Sequence, residues 1–201
     1  MNATRVALAA ILGGIIMFVW GAVLHMATPL GQAGMDNLPD AALPALRESL
    51  AERKIYYFPG MPEHGPDASD AEKEEAMAAW QTAYEAGPRG MVVYEPSGGT
   101  PFDPAQLGVE FISGLLAALI LAAFLSRLGG GLARGAMAGA AFGVFAWASI
   151  TVSEWNWYRF PDTYALAALV EQGAGWLLAG AGIGLALRCR RTRAAPSAAA
   201  D

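Results

Sequence analysis

Cysteine occurs once in the chain, at Cys189, histidine only at His25 and His64, and lysine or arginine thirteen times in 201 residues. One cysteine excludes an internal disulfide and any cysteine-built metal centre. Its setting beside Arg188, Arg190 and Arg191 reads as that of a reduced thiol at a membrane edge. Charged residues make up 15% of the chain while 55% is hydrophobic, whereas a soluble domain carries about a quarter charged. The usual soluble globular class is therefore excluded. Motifs are scarce as well: there is no phosphate-binding glycine loop, zinc-protease helix, nucleophile elbow or haem-attachment sequence. His64 stands alone in a turn between Glu63 and Gly65. No enzyme class is indicated.

What the chain does have is four long apolar runs. Crossing the hydrocarbon core takes about 20 apolar residues in a helix. Val6 to Met26, Leu107 to Leu128, Leu132 to Val152 and Leu166 to Leu187 meet that length. Arg5 ahead of the first run also fits a secretory signal, but the run exceeds the usual signal core of about 7 to 15 residues and no small-residue cleavage site follows His25, so it is read as a span. Basic residues near the ends of spans mark the cytoplasmic side. Arg5, Arg127, Arg134, Arg188, Arg190, Arg191 and Arg193 then fall inside, and every acid except Asp201 falls outside or at an outer helix end. Both termini are expected in the cytoplasm. The resulting expectation is an all-α integral membrane protein, a bundle of four transmembrane helices with a small α/β extracytoplasmic cap. Its parts are a first helix in 1–27, the cap in 28–104, three helices in 105–188 (107–128, 132–152 and 166–187), and a basic, then disordered, tail in 189–201.

Within the cap, Asp40 to Arg53 reads as a helix with Pro44 in its first turn, and Ile55 to Phe58 as a strand stopped by Pro59 and Gly60. Ser69 and Glu72 form a capping-box pattern opening a helix to about Ala86, which Gly87 and Pro88 stop. Met91 to Tyr94 is a second strand, free to lie beside the first. Thirteen acids against five bases in this stretch make it repel anionic lipid headgroups and exclude nucleic acid as a partner. The acids are either a solvated surface or a lure for cations, the former being the simpler reading.

Small residues mark where helices approach closely in lipid. Gly131, Gly135, Gly139 and Gly143 recur every four residues in the third helix, and Gly180 and Gly184 repeat that spacing in the fourth. The partner of this stripe is another helix of the chain or a second copy, and the former is favoured. Ionisable groups are costly within spans and turn toward the bundle interior. His25, Glu110, Glu154 and Glu171 lie at similar depth near the outer boundary, and regular helical spacing puts each on a face with small residues, Glu154 with Thr151, Trp147 and Gly143. Their convergence would give either a divalent-metal site or a structural polar network in which Arg159 and Gln172 satisfy the acids. The Glu-x-x-His pairs of di-iron bundles are missing, which favours the network. The inner halves of the helices carry no ionisable residue, so a complete proton path is not expected.

After the third helix comes Glu154-Trp155-Asn156-Trp157-Tyr158-Arg159-Phe160-Pro161. Trp155, Trp157 and Tyr158 read as an interfacial aromatic belt or as the walls of a lipid or quinone headgroup pocket, with Arg159 or Asn156 as its polar hook. Trp147 and Trp176 lie deeper, as packing residues. This segment, with Tyr57-Phe58-Pro59-Gly60 and Gly87-Pro88-Arg89-Gly90 before Val92-Val93-Tyr94, resembles small bacterial inner-membrane proteins having four transmembrane helices and one external loop domain. The resemblance covers nearly the whole chain, implies a bacterial inner-membrane location and carries no activity. The functional expectation is a non-enzymatic accessory protein acting at the outer membrane face. Its partners would be membrane lipids, another membrane protein or a second copy. The alternative is a metal-dependent enzyme or ion-handling protein using His25, Glu110, Glu154 and Glu171.

Overall fold

A computed structural model describes residues 2–188, so Cys189, Arg190, Arg191, Arg193 and the expected tail 189–201 lie outside the described residues. Among those described, four helices are long and apolar enough to cross a membrane: Ala3–Ala27, Pro104–Leu128, Leu132–Tyr158 and Asp162–Ala186. The chain divides into two units, one of Met1–Gly34, Phe102–Ser153 and Pro161–Asp201, the other of Met35–Pro101 with Glu154–Phe160.

In the first unit, α1 (Ala3–Ala27) starts where the Asn2 side chain accepts the Thr4 amide. The helix α4 (Pro104–Leu128) starts where Asp103 does the same for Ala105, with proline at its open end. That capping, invisible to a count of apolar residues, begins α4 three residues before the expected Leu107. Leaving α4, the chain turns through Gly129 and Gly131 at φ +87° and +140°, a region that side chains rarely enter, and enters α5 (Leu132–Ala146). A π-helical turn follows over Trp147–Thr151 and leads straight into α6 (Val152–Tyr158). The expected end at Val152 is thus passed by six residues, because the polar stretch from Ser153 to Tyr158 stays helical. The last helix, α7 (Asp162–Ala186), opens directly after Pro161, four residues before the expected Leu166.

These helices are apolar on all sides, so their packing is decided by size. A Cβ on Gly135, Gly139 or Gly143 would strike the carbonyl oxygen of Gly180, Trp176 or Gln172 respectively. As the numbers rise in α5 they fall in α7, so the two helices run antiparallel with backbone against backbone. The Gly131 amide closes one end of the seam by donating to the Gly184 carbonyl at 2.7 Å. The glycine face of α5 is therefore covered by α7 of the same chain. On the other side of α7, α1 and α4 enclose the core, where Ala9, Ala118, Leu121, Leu125, Ala179 and Ile183 lose all exposure.

In the second unit, α2 (Leu43–Ser49), after a 3₁₀ turn at Asp40–Ala42, is shorter than the expected helix to Arg53. Residues 52–54 are instead tied to the sheet. The Tyr56 hydroxyl donates to the Glu52 carbonyl at 3.0 Å, Lys54 pairs with Glu52 at 2.5 Å, and Arg53 reaches Glu95 at 3.3 Å. The Lys54 hydrogen bond holds the Glu52 carboxyl below its usual range and Lys54 above its own. Strands β1 (Lys54–Phe58) and β2 (Gly90–Tyr94) pair antiparallel, Tyr56 opposite Val92 and Tyr57 opposite Met91. Between them, α3 (Asp70–Ala86) carries the full capping box: Ser69 accepts the Glu72 amide, and Glu72 accepts from the Ser69 backbone. The Ser69 hydroxyl, donating to the Glu72 carboxylate at 2.7 Å, and then the Ser69 amide hold that carboxyl below its usual range. The Trp80 indole donates to the Pro59 carbonyl at 3.2 Å and fastens α3 to the end of β1.

Candidate functional site

Each unit holds one polar arrangement of interest. In the helical unit, His25 and Glu171 meet, with Nε2 3.3 Å from Oε1, while His25 Nδ1 lies 3.1 Å from the Gly31 carbonyl. The carbonyl can only accept, so Nδ1 carries the proton. The Nε2 contact to Glu171 then needs one proton more, on either partner. Close approach of the loop is allowed by Gly31, where a Cβ would strike the His25 backbone. The Trp20 indole donates to the Glu171 carbonyl at 3.0 Å.

Of the groups expected to converge, His25 and Glu171 are in contact within the helical unit. Glu110 is exposed and enters no ion pair among the described residues, and Ser113 bonds its backbone carbonyl, not its carboxylate. Gln172, expected to serve the acids, accepts from the Trp176 indole at 3.2 Å, one turn along the same helix. Glu154 lies in the first turn of α6, in the second unit. Among the described residues no three His, Cys, Asp or Glu side chains are placed to hold a metal ion. Trp147 and Trp176 are packing residues with their indoles satisfied, Trp147 donating to Ala165 at 2.8 Å.

The second arrangement is a cleft in the smaller unit, with a volume of about 80 Å³. Its walls come from three places in the chain: Tyr57 and Phe58 at the end of β1, Arg89 to Met91 leading into β2, and Trp157 to Arg159 at the end of α6, with Tyr84 of α3 beside them. These are the same three segments that carried the sequence resemblance, now gathered on one hollow. The Tyr57 and Tyr158 rings lie 6.1 Å apart, and Tyr158 contacts Phe160 at 6.5 Å. Phe58 fits because position 90 is glycine: a Cβ there would lie 2.8 Å from the Phe58 ring. Arg89 lies over the Tyr84 ring, its Cζ 4.8 Å from the centroid, and Trp80 stacks behind at 5.2 Å.

Arg159 follows the last residue of α6 with φ +61°, a left-handed conformation uncommon outside glycine and asparagine. It turns the chain sharply toward Pro161. Neither Arg89 nor Arg159 has a carboxylate partner among the described residues. Partial loss of water, then the neighbouring Tyr158, pushes the Tyr57 phenol up from its usual range. Of the two hooks considered from sequence, Arg159 lines the cleft and Asn156 does not; of the three expected walls, Trp157 and Tyr158 line it and Trp155 does not. Sequence reasoning missed Tyr57, Phe58, Tyr84 and Arg89 as site residues. The available signal was that two of the three distinctive segments contain Tyr57, Phe58 and Arg89; Tyr84, on α3, had none.

Chemically, the cleft offers aromatic faces, a phenol donor and two guanidiniums, and no nucleophile beside a base. About 80 Å³ is roughly the room of three waters, enough for a headgroup fragment. Comparison of the chain with protein-family models, with curated proteins and with solved structures finds no match.

Proposed function

We propose that this chain is an integral protein of the bacterial inner membrane, with both termini in the cytoplasm, that binds a membrane lipid at its outer face without catalysing a reaction. The observation that carries this reading is the aromatic cleft. Trp157 and Tyr158 close the helix Leu132–Tyr158, one of the four long enough to cross a membrane. Rings at such helix ends rest at headgroup depth, where one side is greasy and the other wet. The Trp157 side of the hollow remains open, with 75% of that residue exposed. The arginine distribution and the resemblance support the location and orientation. The glycine stripe of α5 is already covered by α7, so a second copy is not needed to bury it, and lipid is favoured over self-association.

Native mass spectrometry of the detergent-purified protein tests this. The expected result is retained phospholipid that is lost in Trp157→Ala and Tyr158→Ala, with melting temperatures within a few degrees of the parent. A protein free of lipid, or one that retains only another polypeptide, would overturn the reading.

A further inference from the structure

Resting on the lipid reading, we infer that the cleft selects a zwitterionic phospholipid headgroup, its phosphate held by Arg89 and Arg159 and its ammonium set against the aromatic rings. Arg89 and Arg159 line the same hollow, and neither is neutralised by a carboxylate among the described residues. Two such groups facing one small volume favour an anion with several acceptor oxygens, which a guanidinium fork matches in shape. The position of Arg89 is fixed by the Tyr84 ring, 4.8 Å beneath it. Tyr57 and Tyr158 add two phenols at the same wall.

The surroundings argue against a headgroup of net negative charge. Residues 35–101 hold twelve acids and five bases, so an anionic headgroup gains at the two arginines and loses in the wider field. A phosphate joined to an ammonium escapes that penalty. Its cation also suits the exposed faces of Trp157 and Tyr158, since aromatic rings attract ammonium groups within about 6 Å. The cleft volume of about 80 Å³ admits the charged part of such a headgroup and leaves the acyl chains outside.

The full chain in mixed micelles, offered equal amounts of phosphatidylethanolamine, phosphatidylglycerol and diacylglycerol, tests the inference by native mass spectrometry. Phosphatidylethanolamine is expected to be retained most, phosphatidylglycerol less, and diacylglycerol not at all. Arg89→Gln and Arg159→Asn should each lower phosphatidylethanolamine retention about tenfold, the scale of one charge-assisted hydrogen bond. Asparagine tolerates the left-handed backbone at 159, so that variant removes charge without breaking the turn. Preference for phosphatidylglycerol, equal retention of diacylglycerol, or lipid binding unchanged by both substitutions would overturn the selectivity while leaving lipid binding itself intact. Loss of all lipid from the parent protein would instead remove the reading on which it rests. Displacement of the lipid by millimolar inorganic phosphate would show that free phosphate, not a headgroup, is what the arginines take.

Discussion

His25 and Glu171 are joined through a single shared proton beyond the one that Gly31 requires, and the chemistry of substitution at 171 follows from that count. Glutamine can donate to Nε2 of a neutral imidazole, so Glu171→Gln keeps the contact. Glu171→Leu leaves Nε2 with nothing to bond. About half of the His25 side chain is exposed, which lets water replace part of the loss. Thermal unfolding in detergent should therefore show Glu171→Gln close to the parent and Glu171→Leu weaker by about 1 kcal/mol; equal effects would mean that the pair is incidental. The structure brings His25 and Glu171 together and leaves Glu110 apart for a plain reason. Depth along a helix follows from counting residues, whereas the direction a side chain faces depends on which neighbours arrive, and Glu110 ends up exposed on α4.

Among the elements, the π-helical turn at Trp147–Thr151 departs from the regular spacing on which the grouping of Glu154 with Thr151, Trp147 and Gly143 was read. A π turn takes in one extra residue, and each residue of a helix advances about 100°. Residues that follow such a turn are therefore shifted by roughly that angle from where regular spacing counts them. The capping box at Ser69 and Glu72 was legible because its signal is contained in four consecutive residues. The α5 stripe was legible for a similar reason, being periodic within one element, although the identity of its partner was not. Gly139→Leu should destabilise the protein by about 1–3 kcal/mol, since its Cβ would strike the Trp176 carbonyl. Gly114→Leu on α4, where nothing lies within 4 Å of the added carbon, is the control and should melt like the parent. A similar loss from both would detach the effect from the α5–α7 contact.

For the molecule as a whole, the four apolar helices were evident from run length alone, because the bilayer imposes a length that few other structures need. The smaller unit was less evident. Its sheet has only two strands, and its cleft joins residues as distant as Tyr57 and Tyr158, a pairing no local pattern announces. Orientation can be tested on the whole protein after Cys189→Ser removes the native thiol. A membrane-impermeant maleimide should label Val93→Cys, 74% exposed, in intact cells, and Arg134→Cys only after the membrane is breached. The reverse pattern would invert the topology and move the cleft to the cytoplasm.

The seam between α5 and α7 is built from main chain and glycine, so no rotamers freeze when it forms and none are released when it is warmed. Looser side-chain packing elsewhere can adjust to a thicker or thinner bilayer by small rearrangements. This pair has no such slack, and it moves as one solid strut against which the other two helices must accommodate.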